Sequence, residues 1–210
     1  MDSKMNKQCA QCRRVGTKLF LKGEKCGGSK CALIKRNYPA GVHGTNRKRA
    51  KKSVYGRQLV EKQRAKEIYG LRERHLAKYM REAGKKVGNT GQYILNFLEA
   101  RLDNVIFRMG LGDSRSQARQ IVGHGHIQVN GKKVNIPSYR VKIGDVVGLT
   151  EGGKKKKLFE KAIEKLRKHE PVSWIHINPT DLSAKVLNVP TTVNPAFDVK
   201  LLIEFYARKI

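Results

Sequence analysis

Residues 101–149 read RLDNVIFRMGLGDSRSQARQIVGHGHIQVNGKKVNIPSYRVKIGDVVGL, and most of the architecture follows from them. Gly110-Leu111-Gly112 stops an apolar helical stripe, and Ser114 is a strong N-cap for a helix over Arg115 to Val122. Ala118, Ile121 and Val122 face inward in that helix, while Arg115 and Arg119 share another face four residues apart. Its N-terminus offers unpaired N–H groups and the positive end of the helix dipole, a place for a phosphate. Ile127-Gln128-Val129, Asn130-Gly131 and Lys132-Lys133-Val134 then spell a two-residue hairpin. Tyr139, Val141 and Ile143 alternate with Arg140 and Lys142, which predicts a further half-buried strand. Gly144-Asp145 turns the chain into Val146-Val147-Gly148-Leu149. A helix pair on a small antiparallel sheet results, with Arg115, Arg119, Lys132 and Lys133 spaced to track a phosphate backbone. His124 and His126 have no third ligand nearby in sequence, so a loop role or contacts to RNA are expected of them rather than metal binding.

Upstream, Ser53 caps a predicted helix over Val54 to Tyr69 that stops at Gly70, and a second runs from Leu71 to Ala83. Thr90 opens the clearest periodicity in the chain: Ile94, Phe97, Leu98, Leu102, Val105, Ile106 and Met109 predict one long helix. Residues 38–46 lack any period, and Arg47-Lys48-Arg49-Ala50-Lys51-Lys52 is nearly pure charge, either a solvated run or one suited to backbone phosphates. Downstream, Lys154-Lys155-Lys156-Lys157 reads as a basic loop. Leu158, Phe159, Ala162, Ile163 and Leu166 form a helical stripe. Ile175 and Val186 lie on the two arms of a hairpin turning across Asn178-Pro179-Thr180-Asp181. Asp198 opens a last segment, helix or strand, with Val199, Leu202, Ile203 and Tyr206 inward.

All four cysteines lie in the first 31 residues, as Cys9-x2-Cys12 and Cys26-x4-Cys31. Lys18 to Gly23 can form a short β-hairpin that returns the second pair to the first. Four thiolates in one array suit structural zinc, with an iron–sulfur cluster as the alternative, and either would replace a core that so short a basic segment lacks. Free thiols or disulfides are the plainer readings. The opening residues have no apolar leader, so a reducing cytosol is expected, and there metal ligation is favoured over pairing.

The 210 residues hold 45 Lys and Arg against 17 Asp and Glu, a net charge of +28. Every quarter of the chain is net positive, and solubility alone needs a magnitude of only about 2–8. The composition therefore points to a polyanionic partner, nucleic acid first. No apolar run is long enough to span a membrane. No phosphate loop, nucleophile elbow or H-E-x-x-H is present, and the few carboxylates are scattered among basic residues, so no enzyme is expected.

Arg101-Leu102-Asp103-Asn104-Val105, Ser114 to Gln120, Gly125 to Gly131 and Pro137 to Val141 resemble the RNA-binding module named after small-subunit ribosomal protein four. Tyr38-Pro39, His43-Gly44, Tyr55-Gly56, Gln58-Leu59, Glu61-Lys62-Gln63, Tyr69-Gly70 and Ile203-Glu204-Phe205-Tyr206 are similar to the rest of that bacterial family, in its order. The cysteines resemble its metal-bearing form. The resemblance implies an α+β fold: a metal-bound knuckle at 1–45, a basic helical domain at 46–100 joined by 196–210, and the module with a hairpin extension at 101–195. It implies a primary binder of the 5′ domain of 16S ribosomal RNA, a nucleator of subunit assembly and a contributor to translational accuracy. Implied partners are ribosomal proteins five and three and messenger RNA where it enters the subunit, in the cytoplasm. A free translational regulator or ribosome-rescue factor is the alternative. Expected RNA contacts are Arg47, Lys48, Arg49, Lys51, Lys52, Tyr55, Arg57, Lys62, Arg64, Arg101, Arg108, Ser114, Arg115, Ser116, Gln117, Arg119, His124, His126, Asn130, Lys132, Lys133, Tyr139 and Arg140.

Overall fold

The computed structural model describes residues 3–45, 51, 53–154, 156, 159, 172–190 and 195–207. They divide into two compact units, residues 1–91 with 194–210, and residues 92–193.

The first unit is helical. Helix α1 (Ser3–Val15) ends where Gly16 takes φ +82°, its N–H returning to Cys12. Short turns α2 (Glu24–Gly27) and α3 (Ala32–Lys35) follow. The hairpin expected at Lys18 to Gly23 is not formed. Cys9 and Cys12 belong to a helix rather than a turn, and the chain comes back through an irregular bend at Phe20 (φ +50°). Gly44 is required as glycine, because a Cβ there would run into the Pro39 carbonyl oxygen.

Helix α4 (Val54–Ile68) starts as its sequence predicts, with the Ser53 hydroxyl accepting from the Gly56 N–H at 3.1 Å. Gly70 lies at φ +60° just beyond it. Helix α5 (Glu73–Gly84) buries Leu76, Tyr79, Met80 and Ala83 at three- and four-residue steps. The C-terminal segment, last in chain order, is a helix over Val199–Ala207 packed on α4. Asp198 settles helix over strand, since its Oδ1 accepts from the Lys200 and Leu201 N–H groups at 2.8 and 3.2 Å.

Polar groups fasten this packing. Gln58 donates to Glu204 at 3.0 Å, the Asp198 N–H donates to Glu61 at 3.0 Å, and the Tyr206 hydroxyl donates to Glu73 at 2.8 Å. Burial pushes the Glu73 carboxyl up, but the Tyr206 hydroxyl and the Lys62 and Lys66 ammonium groups outweigh it and hold the group below its ordinary range. A depressed carboxylate adds stability above its unfolded value, about pH 4.3, and loses it as pH falls through the folded value. Glu73→Gln should therefore cost under about 1 kcal/mol at pH 7, because the carboxylate is half exposed. The gap to the parent should narrow in urea titrations as pH falls below the unfolded value and through the lower folded one. A gap that persists there would place the effect in packing rather than charge.

The second unit begins in the first turn of α6 (Thr90–Glu99). The single long helix predicted from Thr90 to Met109 is two helices, with α7 at Leu102–Arg108. The break falls at Arg101, whose backbone is extended (φ −70°, ψ 139°) and bridges Arg140. The apolar period continues across the break because both helices bury the same stripe: Ile94, Leu98, Leu102, Val105, Ile106 and Met109 are inaccessible. Helix α8 (Arg115–Gly123) is capped by the Ser114 hydroxyl, which accepts from the Gln117 N–H.

Strands β1 (Ile127–Val129), β2 (Lys132–Lys133), β3 (Val146–Leu149), β4 (Ile175–Asn178) and β5 (Ser183–Val186) form one antiparallel sheet, ordered β2-β1-β3-β5-β4. A short turn α9 (Glu151–Lys154) follows β3, and the C-terminal helix over Val199–Ala207 is α10. Asn130 and Gly131 take φ +50° and +78°, both positive as a type I′ hairpin demands. The strand expected over Tyr139 to Ile143 is absent. Apart from the Arg101–Arg140 bridge this segment is a turn-rich crossing, tied down by the Val141 N–H on the Ala100 carbonyl. The core joins α7, α8 and the sheet through Ile106, Ile121, Ile127, Val147, Trp174 and Ala184. Of the stripe predicted after the lysine run, Phe159 is buried there, and Leu158, Ala162, Ile163 and Leu166 lie outside the described residues.

Candidate nucleic-acid interface

The expected RNA contacts separate by what their side chains already touch. One group is engaged within the protein. Arg101 is 2% exposed, its Nε and Nη2 donating to Asp103 at 3.0 and 2.5 Å. This corrects its expected role: a buried, doubly bonded guanidinium is not presented to RNA. Lys62 is corrected likewise, since it is buried with its ammonium 3.0 Å from Glu73 and 4.6 Å from the Phe205 ring centroid. Arg64 pairs with Glu61 at 2.7 Å, and Arg108 grips both oxygens of the fully buried Glu99 at 2.9 and 3.0 Å. Arg115 donates to Asn104 at 2.8 Å, lies over Phe107 at 4.5 Å and comes within 3.9 Å of Glu99. Asn104 closes the web by donating to the Glu99 side chain and carbonyl at 2.8 and 3.0 Å. Ser114 is buried as the cap, and the Gln117 amide oxygen accepts from the Asp113 N–H.

A second group lies at the surface. In the second unit it comprises Ser116, Arg119, His124, Asn130, Lys132 and Lys133, with Tyr139 half-buried and Arg140 half-buried over the Phe97 ring. Arg119 stays 47% exposed although its guanidinium is 3.6 Å from Asp103. The Asn130 amide serves the hairpin: it donates to Asp145 and accepts from the Val146 N–H, each at 2.9 Å. His126 is held below its ordinary range, first by burial and then by the positive charges of Lys156, His124 and Lys133. Lys133 lies so close to Gly125 that a Cβ there would strike its side chain. Cations and imidazoles thus crowd the β1–β2 edge beside the end of α8, and that edge has a strongly positive potential. In the first unit Lys51, Tyr55 and Arg57 are exposed, and Arg47, Lys48, Arg49 and Lys52 lie outside the described residues.

One basic feature escaped the sequence reading. Arg13, Lys22, Lys25, Lys30, Lys35 and Arg36 line a cavity of about 470 Å³ that no carboxylate among the described residues lines. Arg13 is fixed there by donation to the Tyr38 and Pro39 carbonyls at 2.9 and 3.2 Å. These residues have no common period in sequence, and their only signal is the excess of base in the first 50 positions.

Cys9, Cys12, Cys26 and Cys31 line one neighbouring small cavity of about 20 Å³, and the last three are buried. The Lys22 N–H points to the Cys26 sulfur at 3.3 Å. Burial first, and then the proximity of the other three thiols, pushes the Cys12 thiol up. The donor set is one that soft metals take, although among the described residues no group of three or more His, Cys, Asp or Glu side chains is set to hold a metal ion. All four cysteines are free thiols. The metal-bound knuckle expected from the sequence is thus a convergence of thiols.

An antiparallel sheet carrying a capped helix and a basic edge has the charge that a nucleic-acid-binding module needs, and residues 100–147 match the family described as the S4 domain. Residues 4–99 match the Ribosomal protein S4/S9 N-terminal domain. Small ribosomal subunit protein uS4 of Halothermothrix orenii is 46% identical over 202 residues, 95% of this chain and 96% of that one. The protein of the same name from Caldicellulosiruptor saccharolyticus is 44% identical over 99% of this chain and 100% of its own length. Protein uS4A of Symbiobacterium thermophilum is 45% identical over 95% of this chain and 96% of its own. The chain belongs to the small ribosomal subunit protein uS4 family. Among the described residues no helix is long and apolar enough to cross a membrane.

Proposed function

We propose that this chain is a structural, RNA-binding constituent of the small ribosomal subunit in the cytoplasm. It binds the 5′ domain of 16S ribosomal RNA early, nucleates assembly of the subunit body and contributes to translational accuracy through contacts with ribosomal proteins five and three near the incoming messenger. The observation that carries this reading is the end-to-end likeness to small-subunit proteins. The net charge of +28 and the exposed basic edge support it. The binding residues are the exposed set: Lys51, Tyr55 and Arg57 in the first unit, and Ser116, Arg119, His124, Lys132 and Lys133 in the second. His126 and Arg140 join them, and Arg47, Lys48, Arg49 and Lys52 complete the set by their charge. The deep, narrow major groove of A-form RNA keeps side chains from its base edges, so recognition rests on junction shape, 2′-hydroxyls and phosphate positions. In cells the protein should co-sediment with small subunits at one copy each and survive a high-salt wash. Substoichiometric, salt-washable association would favour the free regulator or rescue factor.

Cys9, Cys12, Cys26 and Cys31 would hold a structural zinc ion or an iron–sulfur cluster, which supplies folding energy to residues 1–45 and no chemistry. Their convergence on one cavity supports this reading. Full cysteine ligation leaves no open position for a substrate. Cys9→Ser should lower the bound metal from one per chain towards none and reduce amide protection in residues 1–45, with that of residues 92–193 unchanged. Metal content equal to the parent's would refute the assignment.

A further inference from the structure

The cavity of about 470 Å³ in the first unit is walled by cations from separate elements. Arg13 stands on α1, Lys25 in α2, Lys30 in the turn that follows, and Lys35 and Arg36 at the end of α3. Glu24 is the only carboxylate between Ser3 and Val60, and it does not line the cavity. Lys25, Lys30, Lys35 and Arg36 are exposed and form no ion pair among the described residues. On α4 and α5, by contrast, Glu61, Glu73 and Glu82 each meet a nearby cation. Like charges held around one cavity repel, and an anionic occupant relieves that cost. Even a zinc ion held by the four thiolates next to it would leave most of this charge unanswered. The cavity is also fixed in shape. Arg13 is tied to the Tyr38 and Pro39 carbonyls and lies 4.5 Å from the Tyr38 ring centroid. Cys9, Lys22, Lys25 and Ala32 border both this cavity and that of the cysteines, so one wall is common to the two.

We propose that this cavity is a site for closely spaced phosphates and that a sharply turned stretch of the bound RNA backbone fills it; this rests on the RNA-binding reading above. Its volume lies within the roughly 300–1,000 Å³ of sites that enclose a small ligand. One phosphate would answer only a fraction of the surrounding charge. A straight duplex carries its phosphates on a convex surface and reaches only the rim. A backbone that turns on itself brings two or more into one concave space, where cations on separate elements meet them. Phosphate contacts carry no base sequence directly, but they fix register and orientation. A site that takes only a turned backbone therefore reads the shape of a junction as well as its charge. A free polyphosphate offers the same chemistry. RNA is favoured because the positive charge extends over the whole chain, far beyond what a small anion covers.

The test uses the full chain with its metal content as purified, a transcript of the 5′ domain of small-subunit ribosomal RNA, and a fully paired RNA duplex. Lys30→Ala, Lys35→Ala and Arg36→Ala are combined in one variant, since all three side chains are exposed and their removal leaves Arg13 and the buried thiols in place. Affinity for the 5′ domain should fall on the order of ten- to a hundredfold near 0.1 M salt, and the slope of log affinity against log salt by about 2–3. Affinity for the duplex should fall several times less. Equal losses on the two RNAs, or no loss on the 5′ domain, would overturn the proposal while leaving RNA binding intact. Absence of parental binding to the 5′ domain would overturn the RNA-binding reading as well. Should the triple variant fail to fold, Lys30→Glu alone, in the turn between α2 and α3, is put through the same comparison. Inorganic tripolyphosphate separates the two sources of phosphate. Tripolyphosphate bound by the parent should be displaced by the 5′ domain. If it stays bound in the RNA complex and is lost only in the variant, the cavity belongs to a free polyphosphate and the RNA occupant is refuted.

Discussion

Asp103→Ala is expected to destabilise the unit of residues 92–193 by about 3–5 kcal/mol, the cost of stranding a buried charge. Its carboxylate receives two donations from Arg101, and the two side chains are only 6% and 2% exposed. Arg101 also bridges Arg140 through its backbone at the break between α6 and α7. Removing the carboxylate therefore takes the paired charge away from a buried guanidinium at the point where the helices change direction. The Arg101→Met, Asp103→Leu double variant removes both charges and should recover most of the loss, because the net value of a buried pair over an apolar replacement is small. Urea titrations followed by circular dichroism measure both. A single-variant loss below about 1 kcal/mol would mean that the pair is hydrated in solution and worth no more than a surface bridge.

That pair also marks where the sequence was readable and where it was not. Caps and turns were legible because they are local: Ser53, Ser114 and Asp198 each bond an N–H two or three residues on, and Asn130-Gly131 takes the positive φ angles that its hairpin requires. The break at Arg101 was illegible. The apolar period runs unbroken through it, and what stops the helix is a bridge to Arg140, 39 residues away, and a buried ion pair. The same pairing misled the strand expectation for Tyr139 to Ile143, where alternation of apolar and basic residues reflects a crossing anchored on Ala100. The interface divided for the same reason. Arginine is a phosphate ligand or a partner for a buried carboxylate according to where Glu99 and Asp103 come to lie, and both are buried at the root of α7. Lys132 and Lys133 are exposed on a two-residue strand at the sheet edge, as the return arm of the hairpin implied.

The second large effect is on RNA affinity. If about 6–10 phosphates are neutralised, affinity for the 5′ domain should fall by about 10³–10⁵ between 50 and 200 mM salt. Lys132→Ala with Lys133→Ala should weaken binding and reduce the slope of log affinity against log salt by roughly 2, one for each phosphate that is no longer neutralised. Arg115→Ala should act differently. Its guanidinium is occupied by Asn104 and Phe107, so the loss should appear in thermal stability while the slope holds. A slope unmoved by the lysine pair would exclude the β2 edge from the phosphate-binding surface, and a slope lowered by Arg115→Ala would return that residue to it.

The central claim, recognition of one particular ribosomal RNA fold by a chain whose charge attracts any RNA, is tested most directly by competition. The 5′ domain of small-subunit ribosomal RNA would be bound across a salt series in the presence of an equally long, unrelated structured RNA. The account predicts that binding survives an excess of the competitor and that preference for the 5′ domain widens as salt rises, since added salt weakens the non-specific term most. Equal affinities with equal salt slopes would contradict it and leave charge alone as the source of binding.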